Sequence, residues 1–518
     1  MFVFKYMAGL MDTVTQDEHA LQPYPGGRRV AHVHRRIQQP HREPKYEDEE
    51  ALQQTETQEK EQDILDDEED IVSYDIYEEE EDYDPHKHRN VEKPTSYLDT
   101  MVHMIKGSCG AGVLAMPEAV KRVGIVTSIL SLMFIGFFAA YCMQLLINTQ
   151  YRLCKRHRQG YMAYPASMKQ SLLEGPIKTR WIAPIVYYFV DGVLILWQLG
   201  ICTVYFIFVA ENIKQIMDFY SIEMTLRVHL TNVLIPAILI NLVKDLKLMT
   251  PLSGISNLAT MLGLILVFYY LLEDDLDFHT DMMYLKNFVD FPIFIGTALF
   301  ALEAVGVVLA LEYNMENPKQ FVGICGLFNI GIAVILLLYL IVGLFGYIKY
   351  GSAIKASLTL NLPHEQKKAQ SAKGIFAVAI FLSIPLQNFV AYEILWRKFN
   401  HKISGKKRCL ADYALRVVLV IIPYLAAIAI PRLGPFISLM GAFCLSLLAV
   451  VFPAIMDVCV CYGEPKRYGR ANIKLIRDMI LLVIGLFCMC SGVYTSIIEI
   501  VTGDENTHPK PDNNSMLF

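Results

Sequence analysis

Eleven long apolar stretches dominate the chain after residue 96, at 97–118, 122–150, 181–212, 226–245, 251–272, 291–312, 321–349, 373–397, 409–431, 433–458 and 476–501. Each is about 20 residues or longer, the length that crosses a ~30 Å hydrocarbon core as a helix. The longer ones must tilt or overhang. The expected fold class is therefore an all-α integral membrane protein with eleven transmembrane helices. Composition agrees: 54% of the 518 residues are hydrophobic, only 19% are charged, and mean hydropathy is +0.35. A soluble domain carries about 25% charged residues, so a soluble enzyme is excluded.

The net charge of −6 conceals two opposed parts. Residues 43–84 hold 21 acidic residues against Lys45 and Lys60, a local charge of −19, which leaves +13 for the rest. Residues 1–95, with basic Arg28–Arg42 ahead of the acidic block, read as a disordered cytoplasmic tail, because they lack the apolar surface to offset chain entropy. The membrane-spanning domain takes 96–503, and 504–518 form a short exoplasmic tail with the sequon Asn513-Asn514-Ser515. Met1–Gly9 has no basic n-region or cleavage site, so insertion is expected to begin at the first internal span.

Lys and Arg crowd the loops 151–180 and 398–408. The positive-inside bias then places the N-terminus in the cytoplasm and, after eleven spans, Phe518 outside it. None of the eleven cysteines falls in an exoplasmic loop on that topology, so no exoplasmic disulfide framework is expected. HExxH, GxSxG and phosphate-loop patterns are absent. His32, His34, His41, His86 and His88 have no regular ligand spacing, and no basic, aromatic-interleaved patch supports nucleic-acid binding. The expectation is a non-enzyme with no cofactor or metal.

The first span, TMVHMIKGSCGAGVLAMPEAV, packs Gly107, Gly110 and Gly112 into six residues and follows them with Pro117. Unwound backbone survives in a membrane only where protein or a polar cavity satisfies it. The sixth span, FIGTALFALEAVGVVLALE, carries Gly296, Thr297, Glu303 and Gly306. Interrupted helices five spans apart are the pattern of a five-plus-five inverted repeat with a midplane substrate site. A half-helix N-terminus suits a carboxylate and exposed carbonyls suit an ammonium, so the site would fit a zwitterion. Small residues that merely pack helices are the alternative, and the matched pair of breaks with charges beside both favours transport. His103 lies inside a span next to a break and titrates near neutrality; its alternative is a neutral histidine bonded between helices. Asp191, Glu211, Glu303, Glu312, Glu393, Arg416 and Asp457 are further intramembrane charges. Glu211 and Asp457 are expected to reach the interface, and Glu303 and Glu393 to line a polar pathway.

These residues resemble the proton-coupled amino acid transporters of the amino acid/auxin permease superfamily, in particular their insect members. The string from His103 to Pro117 is similar to the family's HLLKG-x-x-G-x-G-x-L-x-x-P. Gln198–Phe206 and Phe300–Val308, followed by Glu312, Met315, Asn317 and Pro318, extend the resemblance across roughly 95–500. It implies a LeuT-like fold with broken helices 1 and 6 and symport of protons with small neutral amino acids of the alanine, glycine and proline class. Proton coupling would fall to His103 and Glu303. Substrate binding would fall to Lys106, Gly107, Ser108, Gly110, Ala111, Gly112, Phe300, Glu303 and Gly306. Ser108 and Ala111 stand where familiar members often have Asn and Thr, and Ala304-Val305-Gly306 replaces a more usual Gly-Ile-Gly. The implied partners are small neutral amino acids, protons, the bilayer and a cytosolic protein on the acidic tail. The second reading is an amino-acid sensor signalling through that tail, and the third is sodium coupling. The family populates plasma and lysosomal or late-endosomal membranes.

Overall fold

The computed structural model describes residues 83–91, 94–243, 246–273, 288–302, 305–363, 365–403, 405–463, 468–469 and 472–503. In chain order its main helices are α1 (Tyr97–Ser108), α2 (Ala111–Val123), α3 (Ile125–Arg156), α4 (Tyr164–Glu174), α5 (Ala183–Phe219), α6 (Leu226–Asn241) and α7 (Leu246–Leu272). They continue with α8 (Phe291–Leu302), α9 (Val305–Asn314), α10 (Leu327–Tyr350), α11 (Lys367–Phe399), α12 (Gly405–Ala429) and α13 (Leu433–Met440). A π-helical stretch, Gly441–Val451, joins α13 to α14 (Phe452–Tyr462), and α15 (Ile473–Thr502) closes the bundle. Among the described residues there is no strand, only a single parallel bridge between Thr95 and Met315.

Among the described residues eight helices are long and apolar enough to cross a membrane: α3, α5, α7, α10, α11, α12, the continuous Leu433–Tyr462 and α15. The predicted first, fourth and sixth spans coincide with shorter helices, namely α1 with α2, α6, and α8 with α9. The expected interruption of the first span is observed between Ser108 and Ala111. In the sixth span Gly296 and Thr297 lie within α8 and Gly306 within α9, while Glu303, with Ala304, lies outside the described residues.

Burial sorts the helices. In the most apolar part of α5, 78% of residues are buried, and 83% in Leu433–Tyr462, against 22% in α15. The centre is therefore α5 and Leu433–Tyr462, while α15 turns Val483, Phe487 and Val501 outward. Such exposed apolar rows are what a hydrocarbon surround accepts without cost. Helix α5 lies along α11, which packs on α7 with its other flank.

Two charge clusters mark the opposite ends. At one, Arg122 from the end of α2 meets Glu118 and Glu499 near the end of α15. At the other, Arg152 near the end of α3 and Arg477 at the start of α15 both hold Asp457, and Arg477 also holds Asp478 at 2.7 Å. Asp457 was expected to reach the interface; it is instead 1% exposed. Two arginines and Thr149 supply the hydrogen bonds that water would have given.

The first described residues, from Tyr83, are already packed on the bundle ahead of residue 95, where composition put the boundary. Asp84 caps a single 3-10 turn, Pro85–His88, by accepting the His86 N–H at 3.1 Å. Its carboxylate also meets Lys319 at 2.9 Å and accepts from the Tyr151 hydroxyl at 3.3 Å. His86 lies 3.5 Å from Glu312. Arg89 donates to the carbonyls of Tyr313 and, at 3.1 Å, Met315. A cation there satisfies carbonyls that the end of α9 leaves open. Thr95 completes the contact, its N–H 2.8 Å from the Asn314 carbonyl. A charged, proline-bearing segment looks solvated in composition, but α9 and α3 supply partners for each of these groups. Residues 1–82 and 504–518 lie outside the described residues.

Candidate functional site

Helix α1 starts cleanly, with the Ser96 hydroxyl accepting the Asp99 N–H at 3.3 Å. It stops at Ser108, where the Cys109 N–H turns back to the Lys106 carbonyl at 3.2 Å. Helix α2 then begins at Ala111 with Gly110 as N-cap and no side chain on its first N–H groups. An uncapped helix start inside a bundle is an anion-binding end.

Four helices converge on this break. On α2, a Cβ at Gly112 would lie 2.6 Å from the Ala301 Cα, so α2 and α8 touch through bare backbone. On α5, Tyr205 presents its hydroxyl 3.9 Å from the place a Gly110 Cβ would take. Trp197 stands edge-on to Phe300 at 5.3 Å between centroids, forming an aromatic wall beside the end of α8. On α10, the fully buried Tyr339 places its hydroxyl 2.8 Å from the Ser108 carbonyl and 2.5 Å from the Ala301 carbonyl. The Ser108 carbonyl at the end of α1 and the Ala301 carbonyl of α8 thus point to one spot, with the start of α2 beside them. That arrangement can hold a positive and a negative group a short distance apart.

The sequence-derived residues divide. Ser108, Gly110, Gly112 and Phe300 belong to the convergence, and Ala111 is buried in the first turn of α2. Ser108 contributes its carbonyl, because its hydroxyl is turned back to Met104 at 3.3 Å. Lys106 and Gly107 are exposed at the end of α1, and His103 is half-buried one turn earlier. Gly306 lies in the first turn of α9. Glu303 lies outside the described residues. Trp197 and Tyr339 were not anticipated. A tyrosine inside the apolar run ILLLYLIV carries a polar tip that must find a partner, and this was the available signal.

Behind the site, α8 rests on the π-helical stretch. A Cβ at Gly441 would lie 2.0 Å from the Gly296 carbonyl oxygen, and the Ser438 hydroxyl donates to the Ile293 carbonyl at 3.0 Å. Leu299, Leu302, Phe328, Ile332, Leu445 and Ala449 face a small apolar cavity beside it.

A helical membrane bundle with its first span interrupted beside a central carbonyl cluster defines a LeuT-like transporter. The fold is shared with Mhp1, a nucleobase-cation-symport-1 family transporter: against its inward-facing conformation the TM-score is 0.50 at 10% identity, covering 81% of this chain and 92% of that one. Residues 93–498 match the transmembrane amino acid transporter protein family, and the chain belongs to that family. It is 34% identical over 428 residues to the proton-coupled amino acid transporter-like protein pathetic of Drosophila melanogaster, covering 82% of this chain and 89% of the relative. It is 23% identical over 422 residues to the probable amino acid transporter skat-1 of Caenorhabditis elegans, covering 78% and 90%. The protein is a multi-pass membrane amino acid transporter by family, and its relatives are transporters rather than enzymes.

Proposed function

We propose that the protein carries small neutral amino acids together with protons by alternating access, with its N-terminus cytoplasmic and its C-terminus exoplasmic. The observation that carries this reading is the pairing of an uncapped α2 start with the converging Ser108 and Ala301 carbonyls. A carboxylate suits the first and an ammonium the second. Backbone contact at Gly112 and the wall of Trp197 and Phe300 crowd the carbonyls and so favour a short side chain. Apolar walls give an ionised side chain no partner. The similarity to the Drosophila proton-coupled amino acid transporter-like protein supports proton coupling. His103, and with it Glu303, would load a proton on the acidic exoplasmic side of a plasma or lysosomal membrane and release it inside. Lys106, Gly107 and Gly306 would complete the substrate's surroundings as the halves close.

The test is radiolabelled alanine and proline uptake into sodium-free vesicles at exoplasmic pH 5.5 and 7.4, with wild type and His103→Ala. Acid-stimulated uptake lost in the variant, with the protein inserted normally, supports proton symport through His103. Uptake that requires sodium, or acid stimulation that survives the substitution, rejects that coupling.

A sensor role has one observation in its favour: the segment after the acidic tail is fastened to α9. Amino-acid-dependent capture of a cytosolic protein by residues 1–82, without measurable transport, would favour it.

A further inference from the structure

We infer that Tyr339 stands in for the substrate's ammonium group in the empty carrier. This rests on the amino acid transport reading and concerns a residue that neither the motifs nor the family resemblance singles out.

The geometry begins with α10. It lies along both halves of the first span, and its glycines mark the contacts: Gly331 against Met104 of α1, and Gly343 and Gly346 against Val120 and Pro117 of α2. Tyr339 falls between these contacts, level with the break, and is 0% exposed. Its hydroxyl is 2.8 Å from the Ser108 carbonyl and 2.5 Å from the Ala301 carbonyl. Ser108 is the last residue of α1, and a carbonyl at such an end needs a donor from outside the helix; leaving it buried without one is costly. Ala301 faces it from α8 across the same hydroxyl.

A phenol has one proton to donate, whereas an ammonium has three. Tyr339 can therefore satisfy only one of the two carbonyls at a time, and its proton can pass between them by rotation about the C–O bond. When substrate is bound, the ammonium supplies donors to the same pair of carbonyls. When the site is empty, the phenol is the donor that holds α1 and α8 together. The hydroxyl is then needed for the return of the unloaded carrier and is dispensable for the loaded one. Tyr339 is a positioning residue, acting through the backbone that binds substrate.

Net uptake requires the empty carrier to return, while exchange of labelled for unlabelled amino acid requires only the loaded form. Tyr339→Phe removes a single oxygen atom. We expect it to lower net uptake roughly tenfold, the order of one lost buried hydrogen bond, and to lower exchange by a clearly smaller factor. Cys109, buried beside the break, gives a readout that needs no transport. Its labelling by an aqueous maleimide, followed by peptide mass spectrometry, should quicken in Tyr339→Phe without substrate and slow again when alanine is added. Installing 4-aminophenylalanine at position 339 by nonsense suppression keeps a donor and should preserve net uptake.

Parallel loss of net uptake and exchange would overturn the inference, since it reports a general structural defect. So would unchanged uptake in Tyr339→Phe, or Cys109 labelling at the wild-type rate. If wild type exchanges no amino acid at all, the transport reading fails, and Cys109 labelling of the empty protein still decides whether the hydroxyl holds the break closed.

Discussion

Gly112 and Ala301 meet backbone to backbone: a methyl group on Gly112 would sit 2.6 Å from the Ala301 Cα and 3.0 Å from its Cβ. No rotamer change relieves an overlap with main chain. The second helix of the broken span is therefore seated against α8 at a distance only glycine permits.

Gly112→Ala should push α2 and α8 apart and destabilise the fold by about 1–3 kcal/mol, the usual cost of overpacking. Amino acid uptake should fall more steeply than stability, because the same contact sets the spacing of the carbonyl cluster. Thermal unfolding in detergent, set beside uptake by the same preparation, checks this; full activity in the variant would contradict it.

Arg122 is 8% exposed and lies between Glu118 and Glu499, donating to the latter at 2.9 and 2.6 Å. Arg122→Met would strand two buried carboxylates and cost about 3–5 kcal/mol. Glu118→Gln, which leaves one carboxylate for the arginine, should cost much less. The ranking of their melting temperatures is the measurement, and equal shifts would show that the cluster does not act as an ion triad.

The N-terminal turn should loosen in acid. Burial and the Arg89 guanidinium, with Lys319 behind them, push the His86 imidazole down to about 4 against a pull from Asp84. Glu312 faces it at 3.5 Å and Tyr151 stacks on it at 4.8 Å. A free histidine titrates near 6.5, so between those values the detached segment binds more protons than the docked one. The docking contribution is fully present above pH ~6.5 and is lost as pH falls toward 4. Hydrogen exchange of residues 84–90 at pH 7.5 and 5.5, taken as a ratio to His86→Leu, should show the difference in wild type. A constant ratio would refute it.

Trp197 closes the side of the site next to Phe300. Trp197→Ala should shift preference from alanine toward leucine or phenylalanine by about tenfold, the range that added apolar volume gives in a hydrophobic pocket. Competition among unlabelled amino acids for labelled alanine uptake measures it, and an unchanged ranking would place the side chain elsewhere.

The bundle was legible from sequence because a hydrocarbon core demands long apolar runs, and the break at Ser108–Ala111 because three glycines and a proline cannot sustain a plain helix. Tyr339 and Trp197 were not, since their roles depend on what stands across the bundle and not on spacing along their own helices. Asp457 failed for a related reason. Nearness to a span end points to water, yet Arg152 and Arg477 come from two other helices to bury it. The π-helical stretch Gly441–Val451 left no signature beyond apolar content, although its first glycine lies against the Gly296 carbonyl.

The turn at Pro85–His88 also sets where the long acidic tail joins the rest of the molecule. Asp84 and Arg89 hold the chain beside the end of α9, through Lys319 and the carbonyls of Tyr313 and Met315. A pull on the chain at Tyr83 would therefore be felt first at the end of α9.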